Sequence, residues 1–183
     1  MEETYADNVP IETNSDHYGF VSANITMGET YADEVPNEIN HDHYRFAYDI
    51  VEKVLEIRGE LNPNVPRNLP EPSNYLFTEE HASIVKSLLE KDTTYLLLMI
   101  HKLANGVYDS ENYLTCRDFF VRKWKKRAYT EKSFISACAS IAYVAAHFTQ
   151  VNYQCGALDD VVVLIACWIG DILKRGTIDH SCW

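Results

Sequence analysis

Two stretches of this chain are apolar around nearly their whole circumference, and they restrict the possible folds more than any other feature. Residues 134–148 read FISACASIAYVAAHF and residues 161–173 read VVVLIACWIGDIL. A helix that is apolar on all sides belongs in the middle of a bundle. Thr130 precedes the first stretch, and an Asp-Asp pair begins the second, so each has a helix-start signal. The sequence therefore predicts an all-α fold with a central hydrophobic helical hairpin that ends near Arg175.

Amphipathic segments precede this hairpin and predict the outer helices. The segment AYDIVEKVLEIRGEL has apolar residues at helical spacing, and Gly59 marks its end. Thr78 is predicted to cap a second helix, because two glutamates follow it. Asp92 is predicted to cap a third, TTYLLLMIHKLAN, which ends at Gly106. Ser110 begins a fourth. There is no convincing pair of alternating strands, so we expect five or six amphipathic helices around the hydrophobic hairpin.

The N-terminal part of the chain repeats itself. ETYADNVPIETNSDHYGF begins at Glu3 and ETYADEVPNEINHDHYRF begins at Glu29. Neither copy has periodic apolar residues before its final Tyr and Phe, and each contains a proline among Asn and Asp, so residues 1–41 are predicted to be a disordered leader. Only the second copy continues into an amphipathic helix, which places the folded domain at residues 42–183. The duplication is either neutral, in a tolerant terminus, or a doubled docking motif.

Proline and charge mark two further features. The segment ELNPNVPRNLPEPSNY, residues 60–75, contains four prolines and predicts a stiff, extended linker.

Ten of the Asp and Glu residues lie between Glu2 and Asp42, before the first basic residue, while the whole chain has a net charge of -11. The domain itself is thus nearly neutral, and we expect no nucleic-acid binding. The basic run RKWKKR, residues 122–127, is interpreted as a solvated helix end, with attraction to an anionic membrane surface left open.

Motifs for catalysis and metal binding are weak in this sequence. Five cysteines without a C-x-x-C pair indicate a reduced, intracellular protein, and the N-terminus lacks the pattern of a signal peptide. Cys138, His147 and Asp159 supply a nucleophile, a base and an orienting acid on paper, but no local signature positions them. His41 and His43 are a weak metal signal. We therefore expect no enzyme activity, no cofactor and no metal site.

Several residues resemble a known family of helical bundles. CWIGDILKRG, which begins at Cys167, resembles the Trp-Met-Thr-Glu-Tyr-Leu-Asn-Arg segment in the sixth helix of Bcl-2-like apoptosis regulators. IDHSCW, residues 178–183, looks like a degenerate form of the second homology motif of that family. YDIVEKVLEIRGEL resembles the first-helix motif, and residues 60–75 correspond to the long loop that follows it. Among members of this family, the poxvirus-encoded proteins are the most similar.

The resemblance implies a binding module. In this family, an amphipathic death-motif helix from a pro-apoptotic protein lies in a groove between the helices that follow the linker. The resemblance suggests these groove residues: Leu88, Tyr95, Met99, Ile100, Leu103, Tyr113 and Phe120. For any one of them, ordinary core packing is the simpler interpretation.

The family's Asn-Trp-Gly-Arg tetrapeptide, whose Arg pairs with an Asp of the partner, has no counterpart here. Counting from the preceding helix puts Lys132 at the Arg position, whereas counting back from Trp168 puts Cys138 or Ala137 there. Only Lys132 has the required charge, and it offers a point charge instead of a two-pronged guanidinium. The alternative is that Lys132 is a solvated side chain in the first turn of its helix.

The resemblance also implies partners and a location. We expect an intracellular viral inhibitor of apoptosis that sequesters the pro-apoptotic proteins Bim, Bak and Bax, in the host cell cytoplasm at the mitochondrial outer membrane. An apolar membrane tail is expected after Trp183, and a homodimer that exchanges the first helix is compatible with the linker. One alternative is a poxviral Bcl-2-fold inhibitor of innate immune (NF-kappa-B) signalling with a closed groove. Another is a helical membrane-inserting or scaffold protein.

Overall fold

Five α-helices form the described part of the chain. The computed structural model describes residues 40–60, 76–125, 129–152 and 156–174. The helices are α1 (His41–Arg58), α2 (Glu79–Ala104), α3 (Ser110–Lys125), α4 (Glu131–Val151) and α5 (Ala157–Lys174). These residues contain no strand, so the predicted all-α bundle is confirmed.

Helix α4 lies at the centre of the bundle. All its side chains from Phe134 to Phe148 are buried, and it packs against each of the other four helices. Its start follows the predicted signal, because the Thr130 hydroxyl accepts a hydrogen bond from the Ser133 N–H while the Ser133 hydroxyl accepts one from the Thr130 N–H. This reciprocal capping box satisfies two backbone donors that a helix otherwise leaves without partners. The first apolar stretch is therefore the core helix that its sequence predicts.

Helix α5 completes the hairpin but is buried on one face only. It packs against α1 and α4, and the Trp168 ring meets the Phe134 ring edge-on with centroids 5.4 Å apart. Cys167 and Asp171 are exposed on its other face. The centre of the bundle is thus α4 alone, with α5 as a flanking helix.

Of the described helices, α4 also has the length and apolar composition needed to cross a membrane. Most of that apolar segment is buried inside the bundle, and buried core helices pass the same test. The segment therefore does not distinguish a membrane helix from a core helix.

Helix α1 begins and ends at local signals. The Asn40 side chain accepts hydrogen bonds from the N–H groups of Asp42 and His43 at 2.8 and 3.3 Å, which caps its first turn. Gly59 adopts the left-handed conformation (φ 71°) at its C-terminus, where a residue without Cβ is favoured. This agrees with the predicted start near Asp42 and the predicted stop at Gly59.

The predicted helix break at Asp92 is wrong. Helix α2 runs without interruption through this position and ends at Ala104, where Asn105 adopts the left-handed conformation (φ 48°). A threonine hydroxyl at a helix break can form hydrogen bonds that replace those of the helix backbone. Here the Thr93 hydroxyl donates to the Leu89 carbonyl one turn earlier, within a continuous helix. A buried stripe also continues past Asp92 at helical spacing, since Leu89 and Leu96 are both in the core. Tertiary packing thus outweighs a local capping signal.

Several predictions fall on residues outside those that the structure describes. They concern the order of the leader, residues 1–39, the conformation of the linker at residues 61–75, and the motif-like run at residues 178–183.

Candidate functional site

Helix α2 has two flanks, one on each side of the stripe that it buries in the core. The buried stripe comprises Val85, Leu89, Leu96 and Ile100. Successive residues of an α-helix are rotated by about 100°, so the positions of all other side chains around the axis follow from this stripe. One flank carries Leu88, Tyr95 and Met99, and Leu103, which is in line with Val85, lies at the edge of the stripe next to this flank. The opposite flank carries Glu90, Thr93, Leu97 and His101.

The part of the first flank around Tyr95 lies along α3. The Lys123 ammonium sits 4.2 Å from the centroid of the Tyr95 ring and donates a hydrogen bond to the Tyr95 hydroxyl. Nearer the start of α3, the Cys116 thiol approaches the Ile100 carbonyl at 4.0 Å. Between Cys116 and Lys123 the chain of α3 advances, while its contacts on α2 move back from Ile100 to Tyr95. The two helices therefore run antiparallel.

We call the region between these helices the α2–α3 surface. It is formed by Leu88, Tyr95, Met99 and Leu103 from α2, with Phe119 and Lys123 from α3. Tyr95 is 39% exposed, while Leu88, Met99 and Leu103 are partly buried against the core. At 1.5 Å per residue, the stripe from Leu88 to Leu103 is about 22 Å long.

The structure separates the predicted groove residues into two groups. Leu88, Tyr95, Met99 and Leu103 lie together on the α2–α3 surface. Ile100, Tyr113 and Phe120 lie beneath it in the core, with exposures of 0%, 2% and 1%. Ile100 belongs to the buried stripe of α2, and Tyr113 and Phe120 share the inward face of α3 with Cys116. Packing in the core explains why these three positions carry apolar side chains, and no contact with a partner is needed to explain them.

Lys132 lies at one end of this arrangement. The His81 Nδ1 accepts a hydrogen bond from the Thr78 N–H at 3.1 Å, so the proton resides on Nε2, which is 2.7 Å from a carboxylate oxygen of Glu131. This bond joins the start of α2 to the start of α4. Lys132 follows Glu131 and is exposed, so it lies nearer the Leu88 end of the surface than its centre.

Basic side chains lie in the second half of α3 and in the first turn of α4. No described residue forms an ion pair with Arg122, Lys123, Lys125 or Lys132. Asp92, which is exposed, lies on the same flank of α2 about one turn before Tyr95. Lys123 contacts Tyr95 near the middle of the surface, and Lys132 lies beside the carboxylate of Glu131 in the first turn of α4.

The second flank of α2 borders a cleft of about 580 Å³ between α1, α2 and α4. Arg58 crosses it: its guanidinium is 2.6 Å from Glu60, donates to the Gln150 side chain at 2.9 Å and lies 4.4 Å from the centroid of the Tyr143 ring. These contacts tie the end of α1 to α4. The cleft is thus bridged by a polar network that holds two helices together.

His147 lies in the wall of this cleft. It is 9% exposed, and its buried Nε2 has no hydrogen-bond partner among the described residues. The rings of His101 and Tyr108 meet it edge-on, with centroids 5.8 and 5.4 Å away. Burial is the main cause that lowers the pKa of His147, followed by the positive charge of Arg58. The imidazole is therefore held in its neutral form.

Cys138 and His147, two of the three residues that could form a catalytic combination on paper, lie far apart on α4. Cys138 and His147 are nine residues apart on one helix, which separates them by about 14 Å along its axis. Burial also raises the pKa of the Cys138 thiol well above its usual value, which disfavours the reactive thiolate. In the part of the chain that the structure describes, no three His, Cys, Asp or Glu residues form a group that could hold a metal ion.

No family model matches the chain, and comparisons with curated proteins and with solved structures also found no match. The α2–α3 surface is accordingly the feature from which we infer a function.

Proposed function

We propose that this chain is a virus-encoded, Bcl-2-like inhibitor of apoptosis that binds the death-motif helices of pro-apoptotic proteins on the α2–α3 surface. The observation that carries the proposal is the alignment of Leu88, Tyr95, Met99 and Leu103 on one flank of α2, beside α3. The buried stripe of the same helix already supplies the core contacts. Leu88, Met99 and Leu103 also pack partly against the core, while Tyr95 is 39% exposed, so this flank still presents apolar surface to solvent.

The dimensions of the surface suit an amphipathic helix. Four anchors at helical spacing, i, i+4, i+7 and i+11, extend over about 16 Å, which fits within the stripe of about 22 Å on α2. Met99 is flexible and Tyr95 has both an apolar ring and a polar tip, so the surface can adapt to several related helices.

The proposal includes a cellular role. Sequestration of Bim, Bak and Bax in the host cell cytoplasm, at the mitochondrial outer membrane, would prevent permeabilisation of that membrane. No catalysis is involved. A homodimer with exchanged first helices remains a prediction that follows from the family resemblance.

Calorimetric titration with synthetic death-motif peptides of Bim, Bak and Bax tests the proposal. We expect dissociation constants in the micromolar range or below. Tyr95→Glu places a charge in the middle of the surface and is expected to weaken binding at least about 10-fold. Gln150→Glu adds the same charge at the cleft on the other flank of α2 and is expected to leave affinity unchanged.

The absence of binding across the whole peptide panel would contradict this function. It would direct attention to the innate-signalling and membrane-inserting alternatives. Equal weakening by Tyr95→Glu and Gln150→Glu would show that the peptides bind, but not on the α2–α3 surface.

A further inference from the structure

Arg58 joins the last turn of α1 to α4. Val54 is the last residue of α1 that lies in the buried core, so residues 55–58 depend on the contacts that side chains make beyond it. The Arg58 guanidinium donates to the Gln150 side chain at 2.9 Å and lies 4.4 Å from the centroid of the Tyr143 ring. Both of these residues belong to α4. A segment with few buried contacts opens more readily than the core of a protein.

His147 lies on the same face of α4 as these two contacts, four residues after Tyr143 and three before Gln150. It is 9% exposed, and its buried Nε2 has no hydrogen-bond partner among the described residues. In a protonated imidazole both ring nitrogens are donors. A proton taken up in the closed structure therefore leaves a buried charge and an N–H without an acceptor, and both cost free energy.

The charges that face His147 come from the end of α1. Burial lowers the pKa of His147 most, and the positive charge of Arg58 lowers it further. The carboxylate of Glu60, which follows α1, acts in the opposite direction, but it is already bound to Arg58 at 2.6 Å. A proton on His147 therefore adds a second cation beside an ion pair that contains one carboxylate.

The groups on the other side of His147 come from α2 and from the turn after it. The rings of His101 and Tyr108 lie 5.8 and 5.4 Å from the His147 ring, and a phenol and an imidazole carry no negative charge near neutral pH. Glu90, the acidic residue of α2 in this cleft, lies eleven residues before His101, about 16 Å along the helix axis. This side is also anchored, because Ile100 is fully buried.

The last turn of α1 is thus the element around His147 that is able to move. Helix α4 is fixed at this point, since Ala146 and Phe148, on either side of His147, are 1% and 0% exposed. We propose that His147 is an acid-sensitive latch between α1 and α4: when it takes up a proton, residues 55–58 separate from α4 and the ring gains water as its hydrogen-bond acceptor. This inference does not rest on the proposed function, because the latch lies on the opposite flank of α2 from the α2–α3 surface.

The direction of the pH dependence follows from proton binding. The open form, in which His147 is solvated, binds the proton more readily than the closed form. The latch is therefore closed above about pH 6.5, the ordinary pKa of a histidine, and opens as the pH falls below that value. The ratio of open to closed molecules rises by at most about 10-fold per pH unit, because one proton is involved.

Hydrogen exchange of backbone amides in the full chain, compared between pH 7 and pH 5 after correction for the intrinsic exchange rate, tests the proposal. We expect the protection of residues 55–58 to fall by about 3-fold or more, while the protection of residues 134–145 in α4 changes by less than about 2-fold. The Hε1 chemical shift of His147, followed by NMR over the same pH range, should titrate with the same midpoint as this loss of protection.

Three variants separate His147 from its neighbours. His147→Gln keeps a polar side chain that does not titrate, so the protection of residues 55–58 should no longer depend on pH. His101→Gln is the matched control and should retain the dependence of the wild-type protein. Arg58→Gln removes the contacts that close the latch, so residues 55–58 should already be about 3-fold or more less protected at pH 7 than in wild type.

Equal protection of residues 55–58 at pH 7 and pH 5 in the wild-type protein would overturn the proposal. A pH dependence that persists in His147→Gln, or that disappears in His101→Gln, would also overturn it, because another group would then be responsible. An equal loss of protection in α4 would show that acid unfolds the whole bundle instead of opening one turn. If His147→Gln does not fold, the wild-type NMR midpoint and Arg58→Gln still decide, since different midpoints or unchanged protection in Arg58→Gln contradict the latch.

Discussion

Removal of the Tyr113 hydroxyl offers a test of how α3 is joined to α5. Tyr113 is 2% exposed, and its hydroxyl donates to Asp160 Oδ2 at 2.7 Å and lies 3.2 Å from the Ala157 carbonyl. Arg117 also reaches Asp160, with Nη1 2.9 Å from the same oxygen. Tyr113→Phe therefore removes one hydrogen bond to a charged group without leaving that carboxylate unpaired.

We expect Tyr113→Phe to lower the free energy of unfolding by about 1–2 kcal/mol. This value is low for the loss of a hydrogen bond to a charged acceptor, because Arg117 still pairs with Asp160 in the variant. With a urea dependence of about 2 kcal/mol per molar, in the middle of the typical range, the midpoint of unfolding should fall by about 0.5–1 M. Tyr129→Phe is the matched control: Tyr129 is 39% exposed, and its loss should change stability by no more than about 0.5 kcal/mol.

Equilibrium unfolding in urea, followed by circular dichroism, measures both variants. A double-mutant cycle of Tyr113→Phe with Asp160→Asn should give a coupling energy of about 0.5 kcal/mol or more. Equal midpoints for Tyr113→Phe and wild type would refute the reasoning. It would show that the hydroxyl does not hold α5 in solution, and it would reopen the possibility that Tyr113 serves a partner.

Three further predictions concern local features of the bundle. Thr130→Ala removes the cap of α4 and should lower the unfolding free energy by about 0.5–2 kcal/mol; an unchanged urea midpoint would contradict the capping box. The lowered pKa of His147, caused first by burial and then by the charge of Arg58, means that the folded state resists protonation. Stability from this group is complete above about pH 6.5 and falls as the pH drops below that value, so His147→Gln should reduce the loss of stability between pH 7 and 5, and an unchanged slope would contradict this. Cys167 is exposed whereas Cys138 is buried, so an alkylating reagent should modify Cys167 before Cys138 when sites are mapped by mass spectrometry; equal rates at these two cysteines in the folded protein would contradict the burial of Cys138.

The parts of the fold that depend on local signals were predictable from the sequence. Thr130 caps α4 and Gly59 ends α1, because capping depends on side-chain and backbone chemistry within one turn. The core position of α4 follows from its composition alone. The predicted helix break at Asp92 was wrong because capping propensity is a local property of the sequence. The buried stripe of α2, which continues past Asp92 from Leu89 to Leu96, stabilises the continuous helix through tertiary contacts.

The candidate site was only partly predictable, for a related reason. Tyr95 and Met99 could be recognised as a second apolar flank of α2. Lys123 could not, because apolar residues lie on more than one side of α3 and the sequence does not say which side meets α2. The same ambiguity led to the inclusion of Tyr113 and Phe120, which point to the core.

A map of amide chemical shifts during titration with the Bim death-motif peptide tests the central claim most directly. We predict that the largest changes fall on α2 between Leu88 and Leu103 and on the facing side of α3 around Lys123, with small changes at the cleft around Arg58 and His147. Changes concentrated at that cleft, or no changes at peptide concentrations in the high micromolar range, would contradict the assignment of the α2–α3 surface as a site for partner helices.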